Sequence, residues 1–219
     1  MAFACSSANV AGLSGRDINL ADLGASFLAI TPTPGTGIIG HAAPTTFDET
    51  KPYLHLYNAG LLTIYPAYLK FHVTVVGVAN TRVQYTQALD SGANRYTSGG
   101  TSLTINNTNM ASAVTSGAQI RVGAVTAAAV STQRRILSHR VFRAVIEVVE
   151  DTYTFTWGSP SLAQVPGLIT TGTAQAHVAH AFPPLAIGPG QQFLVHQWSA
   201  SQSTGPTMAP TLVSPTNPL

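Results

Sequence analysis

Cysteine is almost missing from this chain: Cys5 is alone among 219 residues. One thiol excludes an internal disulfide framework and any metal site made of cysteines alone within one chain. Charge is scarce as well. Asp, Glu, Lys and Arg make up 8% of the residues, where an ordinary globular protein carries about a quarter. Ten basic residues stand against eight acidic ones for a formal charge of +2, so the pI near 8.9 comes from a balance of small numbers. No basic run exceeds Arg134-Arg135, and without a basic patch no direct nucleic-acid binding is expected. No run of eighteen apolar residues occurs, so neither a transmembrane helix nor a membrane partner is expected. The opening MAFACSSANVAGLSGRD has no positive start and no long apolar stretch, which argues against a secretory signal. A Walker loop, a dinucleotide fingerprint, a G-x-S-x-G elbow and a repeat of fixed period are all lacking.

What the chain does have is apolar mass. Hydrophobic residues reach 45% and the mean hydropathy is +0.20, a combination that disordered chains do not show. With so few charges, the surface has to be covered by Ser, Thr, Asn, Gln, Gly and Ala. Such a surface suits contact with neighbours better than life as a free monomer.

Residues 1–52 read as an extended arm. Pro32, Pro34, Pro44 and Pro52 interrupt it and prevent regular helix. Within it, GRDINLADLGASFLAI has room for one short helix, capped by Asp17 or Asn19 ahead of Leu20, Leu23 and Phe27. Residues 53–200 read as strands. In LKFHVTV, Leu69, Phe71, Val73 and Val75 alternate with Lys70, His72 and Thr74, and in TYTFTW three aromatics alternate with three threonines, each with the period of a sheet that has one buried face. Between eight and ten short strands, little amphipathic helix and no crossover helices predict an all-β fold: an antiparallel β-sandwich or jelly-roll-like core. GAVTAAAVS is ambiguous, since Ala favours helix while Val and Thr favour strand. Residues 201–219 are too rich in proline for a helix or a central strand and read as an extended C-terminal tail.

Asp90-Ser91-Gly92 is the triplet that carries the catalytic carboxylate of aspartic proteases, and it follows an apolar strand as that chemistry requires. A second carboxylate would have to come from a second copy, and the same triplet is a common turn former. The expectation is that Asp90 opens a surface loop, a hairpin tip at about 90–100. His177 and His180 have HxxH spacing but no acidic or cysteine neighbour, and in a strand such a pair points to opposite faces. Ser138 and His139 are adjacent, which separates their side chains on a strand and supports no triad. Asn106-Asn107-Thr108 fits a glycosylation acceptor too weakly to use. Arg134, Arg135, Arg140 and Arg143 face Glu147, Glu150 and Asp151 a few residues later, positioned to pair across a hairpin or between subunits. Tyr57, Tyr65, Tyr96, Trp157 and Trp198 are candidates for stacking on sugars, although the alternation around Trp157 favours core packing. No catalytic, cofactor-binding or metal-ligating residue is assigned, and no enzyme activity or cofactor is expected.

The order YLHLYNAG, LLTIYPAYLKFHVTVVG, QALDSGANRYTSGGTSLTINNTNM, ILSHRVFRAVI and VVEDTYTFTWG, spanning roughly residues 53–157, resembles virion proteins of environmental tailed bacteriophages. The likeness lies in strand and turn order and brings no catalytic residue with it. It implies a structural role: a capsid decoration or cement protein, self-associating as a homotrimer and touching the major capsid protein or neighbouring virion subunits. Its place would then be the capsid surface, after assembly in the host cytoplasm. A major capsid protein forming the shell itself and a receptor- or glycan-binding module are the alternatives.

Overall fold

A computed structural model describes residues 20–33, 35–42, 46–77, 83–129, 133–143, 148–158, 177–198 and 207–215. Two sheets pack face to face. The first has the order β11-β10-β4-β13-β1-β7, with β2 also on β13; its strands are β1 (Ser26–Ile30), β2 (Ile38–Ile39), β4 (Tyr68–Val75), β7 (Thr104–Asn107), β10 (Thr152–Trp157), β11 (His177–Phe182) and β13 (Thr207–Pro215). The second has the order β6-β8-β3-β12-β5-β9, made of β3 (Leu54–Asn58), β5 (Val83–Asp90), β6 (Tyr96–Ser102), β8 (Ala118–Ala127), β9 (Arg134–Arg143) and β12 (Gln192–Trp198). Every pairing is antiparallel except β10 with β11. The all-β sandwich expected from the strand periodicity is therefore what the chain forms, and the only α-helix among the described residues is a turn at 20–22.

The core lies between the sheets. Leu69, Phe71 and Val73 of β4 are fully buried, as their alternation predicts, while Val75 at the strand end is exposed. Phe71 lies against Tyr53, Tyr85 and Phe155, and Trp157 packs edge-on to Phe193. Such aromatic pairs add stabilisation beyond their buried area. The three phenols that enter this core find acceptors: Tyr53 donates to the Ile38 carbonyl at 2.9 Å, Tyr85 to Met208 Sδ at 3.3 Å and Tyr153 to Asp151 Oδ2 at 3.4 Å. In β10 the threonine face is buried too, so the predicted polar face of that strand is not a wet one. GAVTAAAVS resolves in favour of strand: β8 runs to Ala127, bent at Gly123, whose φ of +102° suits glycine.

Both irregular ends need correction. Residues 1–52 do not form an arm throughout, because Ser26–Ile30 is an interior strand between β13 and β7, with Phe27 and Ala29 buried. Residues 201–219 are not a free tail, because 207–215 is a central strand between β4 and β1. Proline argued against this, and the pairing shows how it is accommodated. Val213 accepts from Ala67 on the β4 side, so by alternation the nitrogen of residue 210 points to the other side. There β2 pairs only 207–208 and β1 only 211–215. Pro210 falls in the gap between these neighbours, where a missing N–H breaks no ladder bond.

Candidate functional site

Asp90 ends β5, yet the next strand in sequence, β6, is not its neighbour; β12, β3 and β8 lie between them. The expected hairpin tip is instead a crossover. The segment 91–95 runs over the outer face of the sheet, where the Arg95 N–H donates to Gln192 Oε1 and Tyr96 lies beside the His55 ring. Alternation turns Asp90, His55, Gln192 and His196 towards that outer face, and all four are nevertheless buried. The crossover and the segment 46–50 are what cover them.

Polar groups removed from water in this way need partners, and most of these have them. Asp90 Oδ1 accepts from the Gly92 N–H at 2.8 Å, the local turn that an Asp-x-Gly sequence favours. Its Oδ2 meets Arg95 Nη1 at 3.3 Å in an ion pair whose side chains are 0% and 3% exposed. The remaining guanidinium donors reach the carbonyls of Ala128 and Glu49. Gln192 Oε1 accepts from the Arg95 N–H and from His55 Nε2, while its amide nitrogen donates to the Ala93 carbonyl. That last bond fixes the Gln192 orientation and thereby makes His55 a donor at Nε2. Asp90 thus fastens the crossover to the sheet through the Gly92 N–H and the Arg95 guanidinium.

His196 lies under the 46–50 segment, edge-on to Phe47 at 5.0 Å, with Nε2 3.4 Å from the Glu49 carbonyl. Burial, reinforced by the Arg95 charge, pushes its pKa down to about 3. Burial also lowers His55. Both imidazoles are therefore neutral at physiological pH. Glu49 itself pairs with Arg134 through Oε1.

The other candidate residues are kept apart. Ser138 and His139 alternate on β9; His139 Nδ1 and Thr86 Oγ1 share a hydrogen bond at 3.1 Å, and the His139 ring stacks on Trp198 at 5.4 Å. His177 and His180 lie on β11, in register with Thr152 and Phe155 of β10. No group of three metal-ligating side chains occurs among the described residues. The arginine and acidic runs lie in different sheets, β9 in one and the approach to β10 in the other. Within these two runs Arg134 pairs with Glu49, and Glu150 shares a hydrogen bond with His72; Glu147 lies outside the described residues. Trp157 is core, 5% exposed, and Tyr96 is held by Arg121 over its ring at 4.5 Å.

A second feature is at one end of the sandwich, on the loops 20–25, 58–67 and 107–117. They are tied together: Ala59 N–H donates to the Gly117 carbonyl, Asn109 Nδ2 to Asp22 and Asn107 Nδ2 to Gly24. Leu23, Leu61, Leu62, Met110 and Val114 stand exposed on them, Leu61 at 92% and Met110 at 99%. Asp22 is the only charged residue in these three segments. No protein family, characterised protein or solved structure matches this chain. The functional reading therefore rests on geometry. Sequence reasoning registered the low charge of the whole chain but not this end, because its five apolar residues come from three separate loops that only the fold brings together.

Proposed function

We propose that the protein is a non-enzymatic structural component of a virus particle, a capsid decoration or cement protein of a bacteriophage head. It works as a homo-oligomer, a trimer being the expected form, seated on the major capsid protein at the capsid surface after assembly in the host cytoplasm. The observation that carries this reading is the loop end with a single charged residue, Asp22, and five exposed apolar side chains. Exposed apolar groups on loops that are bonded to one another favour contact with another protein over open solvent. Because the end carries almost no charge, symmetric copies can meet there without like-charge repulsion. The two-sheet β-sandwich is compatible with this reading, and the resemblance of residues 53–157 to phage virion proteins supports it. The mechanism is mechanical: each subunit that binds the closed shell and not the opened one raises the free energy of opening by mass action.

The test is the molar mass of the purified protein by light scattering on a sizing column over a range of concentrations, with micrographs of the void fraction. Discrete trimers are expected, weakened by the pair Leu61→Ser and Met110→Ser. Megadalton shells would make this the shell protein itself. A monomer at every concentration would overturn self-association and return attention to a binding module.

A further inference from the structure

β9 is the last described strand of its sheet, with β5 on one side and no described strand on the other. Its sequence, RRILSHRVFR, holds four of the ten basic residues of the chain and no acidic one. Arg134 is paired with Glu49. Arg135 and Arg140 are exposed and make no ion pair among the described residues. Two recesses lie along the seam between β9 and the connection 183–191 that leads from β11 to β12. A polar one of about 330 Å³ is lined by Arg134, Arg135, Gln133, Ser91 and Gln191, with no carboxylate in its walls. An apolar one of about 160 Å³ is lined by Leu137 and, across the seam, by Trp157, Phe182, Pro183 and Pro184. Leu137 is the extra residue of a bulge, since Ser138 pairs with Gln87 and Ile136 with Ala88, and it is 40% exposed. Burial and then the charge of Arg140 lower the pKa of His180 on β11, so Arg140 borders the same opening of the sandwich.

We propose that this seam docks an extended acidic segment of another protein, one that carries an aspartate or glutamate two residues from a leucine or phenylalanine. Charge complementarity sets the acid: guanidinium groups with no carboxylate beside them attract an anionic side chain and repel a cationic one. The spacing sets the extended form. Arg135 and Leu137 are two residues apart on β9, and in an extended segment side chains two residues apart share a face, about 6–7 Å from each other. The apolar recess is close to the ~150 Å³ in which a protein cavity holds a benzene ring, so it has room for one such side chain, whose burial is favourable. Backbone groups of β9 that point away from β5 are further partners, as in strand addition. The bulge at Leu137 interrupts that edge, so the two side chains carry the selectivity. A second copy is not the occupant. Two β9 strands side by side would set arginine against arginine, and the described carboxylates are committed. Asp48, Glu49, Asp90 and Glu150 have partners within the chain, Asp151 is buried and Asp22 lies on the helical turn 20–22. The seam uses none of the five apolar residues of the loop end, so the inference stands whether or not that end self-associates.

The experiment is fluorescence anisotropy of capped, labelled peptides titrated with the full chain. The peptides have a serine and threonine background: one carries glutamate two residues before leucine, one has lysine in place of the glutamate, and one has serine in place of the leucine. A short single-stranded DNA is the polyanion control. Saturable binding of the first peptide is expected, weaker by about tenfold or more with lysine and by about tenfold with serine. Arg135→Glu, at an exposed position, should reverse the order of the glutamate and lysine peptides. The pair Leu61→Ser and Met110→Ser should leave the ranking unchanged. No saturable binding of any peptide, equal binding of the glutamate and lysine peptides, DNA bound as tightly as the first peptide, or a ranking that Arg135→Glu does not move would overturn the proposal. Oligomers of the chain that dissociate on Arg135→Glu would also overturn it, in favour of a second copy. If the thermal transition shows that Arg135→Glu does not fold, Arg135→Gln takes its place and should shrink the difference between the glutamate and lysine peptides.

Discussion

Acidification should destabilise this protein well above the range in which carboxylates titrate, and His196 is the reason. Its folded-state pKa is about 3, against about 6.5 for a histidine in an unfolded chain. Between these values the unfolded chain takes up a proton that the folded one refuses. Stability is therefore complete above about pH 6.5 and falls as the pH drops towards 3. At pH 5 the linkage amounts to about 2 kcal/mol from this one residue. His55, also lowered by burial, and His180, lowered by burial and then by Arg140, act in the same direction. Urea unfolding followed by tryptophan fluorescence at pH 7.5, 6.0 and 5.0 measures the effect. With a slope of roughly 2 kcal/mol per molar urea, the midpoint should fall by about 1 M over this range. His196→Gln keeps a neutral polar group under the 46–50 segment and should flatten the profile by most of that amount. An unchanged midpoint between pH 7.5 and 5.0, or an equal fall in wild type and His196→Gln, would refute the reasoning.

Asp90→Ala leaves the Arg95 guanidinium buried without its counter-charge, and chemical denaturation should show a loss of about 3–5 kcal/mol; a loss below about 1 kcal/mol would mean that the pair contributes little to the strap. Deleting residues 1–50 removes β1 from between β13 and β7 together with the Glu49 carbonyl that Arg95 uses, so the fragment should lose its cooperative thermal transition. Gly123→Ala places a methyl 2.7 Å from the Ile39 carbonyl oxygen at a φ of +102° and should cost at least about 1 kcal/mol, measured by the same denaturation.

The strands with strict alternation were legible in the sequence because burial on one face leaves a mark at every second residue. LKFHVTV and TYTFTW became β4 and β10 for that reason. What was not legible were the features set by distant partners. Proline marks a position where no N–H is donated, but not whether a neighbouring strand needed that N–H; at Pro210 none did, and a central strand looked like a tail. Asp-Ser-Gly encodes a local turn, and the turn is there, yet the same triplet serves a hairpin or a crossover equally well. The choice depended on β12, β3 and β8 standing between β5 and β6. The ion pair with Arg95 is only five residues away in sequence, but its burial comes from the sheet beneath. The exposed apolar end belongs to the same class: each residue is ordinary in sequence, and its meaning lies in what the fold puts beside it.

The position of β13 bears on how the chain is made. It follows every other described strand in sequence and fills a place between β4 and β1 in the middle of its sheet. Until residue 215 has left the ribosome, at about 5–20 residues per second, β4 and β1 have no common partner and the sheet stays in two parts. Synthesis thus sets a clock on assembly, since an incomplete chain lacks the sheet that orders its apolar end. A fragment from interrupted translation would lack the seam that joins the two halves of the sheet.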